Sequence, residues 1–122
     1  MNKRILIIDD EPDIREATQV CLELAKGWEV LTAGSSAEGI EKAAAEQPDV
    51  VLLDVMMPDM DGLATFQQMQ ANPSTRNIPV ILLTAKAQPA DRRHYLQLEV
   101  AAVITKPYDP LTLADQIAEI LD

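Results

Sequence analysis

Three runs of consecutive aliphatic residues punctuate the chain: Ile5-Leu6-Ile7-Ile8, Val50-Val51-Leu52-Leu53 and Val80-Ile81-Leu82-Leu83. A strand with one wet face alternates apolar and polar side chains. An unbroken apolar run therefore predicts a strand covered on both faces, as in the interior of a parallel sheet. Glu29-Val30-Leu31-Thr32-Ala33 and Ala101-Ala102-Val103-Ile104-Thr105 are more mixed, as strands nearer the sheet edges are. Helical patterns fill the intervals: Pro12 to Leu24, Ser36 to Ala45, Gly62 to Gln70, a poorly marked stretch at Ala90 to Leu98, and Asp109 to Leu121.

Local signals sharpen two of these helices. Ser35, followed three residues on by Glu38, makes a capping box, and Asp109 before Pro110 supplies an N-cap and a first-turn proline. In the last helix Leu113, Ile117, Ile120 and Leu121 share one face with Ala114 beside them, a core stripe. Strand and helix thus alternate five times. Right-handed crossovers then place helices over both faces of a parallel sheet, so the expectation is an α/β fold, doubly wound, with five strands and five helices. Neither a repeat nor a linker interrupts the pattern, and one domain over residues 1–122 is expected, with no second domain visible.

Composition narrows the function classes. Hydrophobic residues make up 48 % of the 122 and aromatics only 3 %, so the core is aliphatic. The single cysteine, Cys21, allows no internal disulfide and reads as a small buried thiol in a reducing, cytoplasmic setting. A formal net charge of -10 argues against direct binding to nucleic acid, which requires clustered Lys and Arg. No apolar run approaches the roughly eighteen residues of a membrane helix, and Met1-Asn2-Lys3-Arg4 leads into too short an apolar run for a signal peptide. No membrane partner is expected.

In an open parallel sheet, ligands gather at the carboxyl ends of the strands. The residues that follow the apolar runs are Asp9-Asp10-Glu11, then Asp54, Thr84, and Lys106-Pro107. Singly, each has an ordinary structural explanation: helix cap, strand threonine, solvated lysine. Converging on one rim, they do not. Carboxylates held about 5 Å apart repel by roughly 3 kcal/mol per pair at an effective dielectric near 20, and a cation must offset that. Oxygen ligands from Asp9, Asp10 and Asp54, without His or Cys nearby, suit a hard ion such as Mg²⁺.

Asp9-Asp10, the run Asp54-Val55-Met56-Met57-Pro58-Asp59-Met60-Asp61-Gly62, then Thr84-Ala85 and Lys106-Pro107 together resemble the signature of response-regulator receiver domains, over the whole chain. The resemblance implies a flavodoxin-like sheet in the order 2-1-3-4-5, for which the chemotaxis regulator of this family is a standard example. It further implies that Asp54 accepts a phosphoryl group from the phosphohistidine of a sensor histidine kinase or a histidine phosphotransfer protein. Asp10 would ligate Mg²⁺ (or Mn²⁺) directly and Asp9 through water, with Asp54 and the backbone carbonyl of Met56 as further ligands, while Thr84 and Lys106 grip the phosphoryl oxygens. The Lys106–Pro107 bond would be cis, Pro58 and Gly62 would shape the turn after Asp54, and Ile14, Arg15, Thr18, Pro107 and Tyr108 would form the kinase-docking face. A downstream protein target and a monomer or weak homodimer complete the implied picture. His94, the only histidine, lies in the polar stretch Arg92-Arg93-His94-Tyr95, away from the acids.

Two positions depart from the family pattern. Val103 stands where an aromatic side chain often reports phosphorylation, and the turn Leu98-Glu99-Val100-Ala101-Ala102 lacks the usual glycine. Signalling is therefore expected through the loop Ala85 to Pro89 and the adjoining face bearing Arg92, Arg93, His94 and Tyr95. Three rival readings exist. The chain could be an interaction module whose phosphorylation is incidental. A phosphatase with an aspartyl-phosphate intermediate needs a second acid where Met56 stands, and a flavodoxin needs a phosphate cradle where Asp9-Asp10-Glu11 would repel one.

Overall fold

The computed structural model describes residues 3–56, 62–85, 93, 95 and 97–121. The five apolar segments form β1 (Arg4–Ile8), β2 (Glu29–Ala33), β3 (Val50–Asp54), β4 (Val80–Thr84) and β5 (Ala102–Thr105). They pair in parallel in the order β2-β1-β3-β4-β5. Among the described residues the helices are α1 (Pro12–Lys26), α2 (Ser36–Glu46), α3 (Gly62–Ala71) and α4 (Pro110–Leu121). These are four rather than the five expected, because the poorly marked stretch Ala90 to Leu98 falls largely outside the described residues.

The strand alternation sorts the core into two layers. On one face Ile5, Ile7, Val50, Leu52, Ile81, Leu83 and Ile104 pack with Leu22 of α1 and with Leu113, Ala114 and Ile117 of α4. On the other, Leu6, Ile8, Val51, Leu53, Leu82 and Val103 pack with Ala43 of α2 and with Phe66 and Met69 of α3. Successive residues of one strand point to opposite faces, so runs without a polar member are what a sheet sandwiched between helix pairs demands. The three central strands are buried throughout apart from Arg4 at the start of β1.

The helix termini follow their sequence signals. Ser35 accepts a hydrogen bond from the Glu38 N–H at 3.2 Å, and Asp109 accepts one from the Leu111 N–H at 2.9 Å. Gly27 ends α1 in the left-handed region, with φ 71°. In the turn before β5, where the family pattern has glycine, Glu99 itself takes φ 66°. A side chain in that region costs about 1 kcal/mol, part of which glycine gives back as unfolded-chain entropy. Glu99→Gly should therefore raise the stability measured by urea unfolding by about half a kcal/mol, and a loss of stability would show that the Glu99 side chain contributes contacts of its own.

Candidate functional site

The strand order reverses direction between β1 and β3, which leaves a crevice at their carboxyl ends. Ile8 is in register with Leu53, so Asp9 and Asp54, the next residues along the two strands, emerge side by side. Both are buried. Asp9 is fixed by its N–H, which donates to the Ala33 carbonyl at 3.1 Å, and by its Oδ1, which accepts from the Glu11 N–H at 2.9 Å. The Oδ1 of Asp54 accepts from the Met56 N–H at 3.1 Å.

Lys106 reaches this pair from two strands away. Its backbone is set by β5, where Thr105 pairs with Thr84, and by its own N–H, which donates to the Thr84 carbonyl at 2.7 Å. The Nζ lies 3.0 Å from Asp9 Oδ2, 3.3 Å from Asp54 Oδ2 and 3.5 Å from Glu11 Oε1, with only 13 % of the side chain exposed. The peptide between Lys106 and Pro107 is cis, as the family resemblance implied. Thr84 is buried at the end of β4.

Carboxylate oxygens of Asp9, Glu11 and Asp54 lie within 4.8 Å of one another. An all-oxygen set with two buried members fits a hard divalent cation and no soft one. From the sequence Asp10 is expected here and Glu11 is not. Asp10 is half-buried and lies outside the trio. No strand period announces Glu11: the chain bends at Asp10 just past β1, and Glu11, the N-cap of α1 with φ -89° and ψ 105°, brings its carboxylate to the other two. Met56 is exposed beside Asp54. Gly62 packs tightly here, since a Cβ on it would lie 2.5 Å from the Asp54 carbonyl oxygen, whereas Pro58 lies outside the described residues.

The electrostatics are those of a strained acid cluster. Burial pushes the Asp54 carboxyl up to about 6; the Met56 N–H opposes this, the Asp9 charge adds to it, and Lys106 opposes it again. For Lys106, burial alone would favour the neutral amine. The hydrogen bond to Asp9 and the charges of Asp54 and Asp9 outweigh it, and the ammonium is held above its ordinary range. Lys106 therefore stays cationic wherever the acids can ionise.

Beside the acids runs an apolar groove of about 450 Å³, lined by Ile14, Ala17 and Thr18 of α1 and by Pro107, Tyr108 and Pro110. The Tyr108 hydroxyl pairs with Thr18 Oγ1 at 2.8 Å, which ties the loop that carries Lys106 to α1. Of the expected docking residues, Ile14, Thr18, Pro107 and Tyr108 line this groove. Arg15 does not; its Nη1 donates to the Asp9 carbonyl at 2.7 Å.

The expected signalling face needs a correction. Tyr95 is only 4 % exposed and belongs to the same core layer as Val103. Of the other three residues, Arg93 is exposed, while Arg92 and His94, like residues 86–89 of the loop, lie outside the described residues.

Residues 5–118 match the family model of the response regulator receiver domain, and the chain belongs to that family. It is 36 % identical over 121 residues to the alkaline phosphatase synthesis transcriptional regulatory protein PhoP of Bacillus subtilis, covering 99 % of this chain and 49 % of that protein. Against the phosphate regulon transcriptional regulatory protein PhoB of Pseudomonas aeruginosa the identity is 35 %, over 99 % of this chain and 52 % of the relative. The chain thus spans about half the length of these curated relatives. Among solved structures, the CheY-like receiver domain protein of Methanospirillum hungatei superposes with a TM-score of 0.89 at 32 % identity, over 100 % of this chain and 95 % of that one. The chemotaxis protein CheY4 of Vibrio cholerae does so with a TM-score of 0.90 at 27 % identity, over 98 % and 99 %. The chain is accordingly a phosphoacceptor module of the two-component type. Among the described residues no helix is long and apolar enough to cross a membrane.

Proposed function

We propose that Asp54 is the phosphoacceptor, taking a phosphoryl group from the phosphohistidine of a sensor histidine kinase or a histidine phosphotransfer protein. The observation that carries this reading is the position of Asp54: buried at the reversal point of the sheet, beside Asp9 and Glu11, and within 3.3 Å of the Lys106 ammonium. One Asp54 oxygen attacks phosphorus as the bond to the imidazole nitrogen breaks, and the nitrogen recovers its proton from solvent. Asp9, Asp10 and Asp54, with the main-chain carbonyl of Met56, are the residues that would hold Mg²⁺ or Mn²⁺, and Glu11 lies close enough to serve the same ion. When bound, the ion supplies charge neutralisation for the phosphoryl oxygens. Lys106 offers a second positive charge and Thr84 a hydroxyl donor to those oxygens. The protein's work is positioning and charge balance, and the only substrate it turns over is its own phosphoryl group.

The groove along α1 and the Pro107-Tyr108 loop suits the kinase, since it opens beside the acids and is apolar on both walls. The downstream target is a protein, and a reducing cytoplasmic setting fits the lone Cys21. A small phosphodonor such as acetyl phosphate should label the protein in the presence of Mg²⁺ and not after chelation with EDTA. Asp10→Asn should reduce labelling strongly at limiting Mg²⁺ and recover part of it at high Mg²⁺. Labelling indifferent to EDTA would remove the metal from the account.

A further inference from the structure

We infer that Arg15 is a positioning residue for the acidic loop, its guanidinium holding the peptide between Asp9 and Asp10 by the Asp9 carbonyl while resting against Gly34 at the end of β2. The inference rests on the metal-binding reading above and extends it to a residue that touches neither ion nor phosphoryl group.

The geometry carries it. The carbonyl of Asp9 belongs to the peptide that joins two of the acids, so whatever fixes that oxygen fixes the direction in which Asp10 and Glu11 leave the strand. Arg15 Nη1 donates to it at 2.7 Å, and the Asp9 N–H is already held by the Ala33 carbonyl at 3.1 Å. Both peptide groups flanking the Asp9 Cα are thereby pinned, one to β2 and one to α1. The position is made by a missing side chain: a Cβ on Gly34 would lie 3.1 Å from Arg15 Nη1 and 3.7 Å from Cζ. A side chain there would require the guanidinium to give way by a few tenths of an ångström. Gly34 is itself fixed, its N–H donating to Glu38 Oε1 at 2.9 Å.

Charge agrees with this placement. The Glu38 carboxyl is held below its ordinary range mainly by the Gly34 N–H, then by Lys42, with a smaller contribution from the Arg15 charge. A cation hydrogen-bonded to the Asp9 carbonyl adds positive charge beside the acid cluster without entering it. Arg15 can do this without blocking a ligand oxygen, because it approaches the main chain and not a carboxylate.

The test compares the full chain with Arg15→Ala and Arg15→Lys by Mg²⁺ titration calorimetry, backbone amide hydrogen exchange and urea unfolding. Losing a residue that orients ligands weakens metal binding on the order of tenfold. Arg15→Ala should raise the Mg²⁺ dissociation constant by about that factor and speed exchange at the Asp10 and Glu11 amides, while Ile7 and Leu52 stay protected. Arg15→Lys keeps one donor and should restore most of both. Unchanged affinity and unchanged exchange at Asp10 and Glu11 in Arg15→Ala would overturn the inference. So would a loss that follows the urea midpoint of the whole fold and that lysine does not restore. If the wild type bound no Mg²⁺, the metal reading would fail by itself, and exchange at Asp10 and Glu11 would still decide whether Arg15 holds the loop.

Discussion

Asp54→Asn abolishes phosphoryl uptake, both from acetyl phosphate and from a phosphorylated kinase domain, while the fold persists. An amide has the shape of the carboxylate but no anionic oxygen to attack phosphorus, and loss of the nucleophile lowers the rate by a factor on the order of a thousand or more. Asp9 and Glu11 stay in place, so the result separates a specific acceptor from general acidity. Asp9 is held in the same way as Asp54, with Lys106 at 3.0 Å from its Oδ2 and the Glu11 N–H at 2.9 Å from its Oδ1, so the variant retains a second buried carboxylate against which the specificity of Asp54 is measured. Incorporation into the Asp54→Asn variant at a rate close to wild type, followed by Phos-tag electrophoresis, would move the chemistry to another residue.

The same substitution should make the metal-free protein more stable at neutral pH. The folded state raises the Asp54 carboxyl to about 6, chiefly by burial, against roughly 4 in an unfolded chain. The native state therefore binds more protons than the unfolded state between these values. Its contribution to stability is fully present below about pH 4, declines as pH rises, and is gone above about pH 6. The difference corresponds to about 3 kcal/mol between the acidic and neutral ends of that window. Urea unfolding in EDTA should show this decline in the wild type and a flatter profile, higher at pH 7, in Asp54→Asn. Added Mg²⁺ should recover stability in the wild type alone, since a ligand bound only by the folded state stabilises it by mass action. A gap between Asp54→Asn and wild type that narrows from pH 4 to 6 would mean that Lys106 and the Met56 N–H outweigh burial at Asp54.

Where the sequence was informative, the reason was periodicity. Four-residue aliphatic runs have one comfortable environment, and Ile5 to Ile8, Val50 to Leu53 and Val80 to Leu83 occupy it as the three central strands. The convergence of Asp9, Asp54, Thr84 and Lys106 was legible for the same reason, because each ends an apolar run and parallel strands end on one side. What was not legible depended on side-chain direction and local backbone. Glu11 joins the acids through a bend at Asp10 between β1 and α1, a local geometry that no period in the sequence announces. Tyr95 sits in a polar stretch yet turns inward, since one aromatic ring among charged neighbours is enough to bury one face. Glu99 occupies a left-handed position without glycine, a departure visible as composition but not as conformation. Arg15 was expected on the docking face, and its 2.7 Å contact to the Asp9 main-chain oxygen had no signal in the sequence.

The most direct measurement is to locate the phosphoryl group chemically. An aspartyl phosphate is reduced by borohydride to homoserine, which mass spectrometry of the peptides identifies at a single position. After treatment with acetyl phosphate and Mg²⁺, homoserine should appear at position 54 and be absent when EDTA replaces Mg²⁺. Homoserine at position 9 or 10, the five-carbon alcohol 2-amino-5-hydroxypentanoic acid from Glu11, or labelling that persists with no homoserine at 54, would contradict Asp54 as the acceptor.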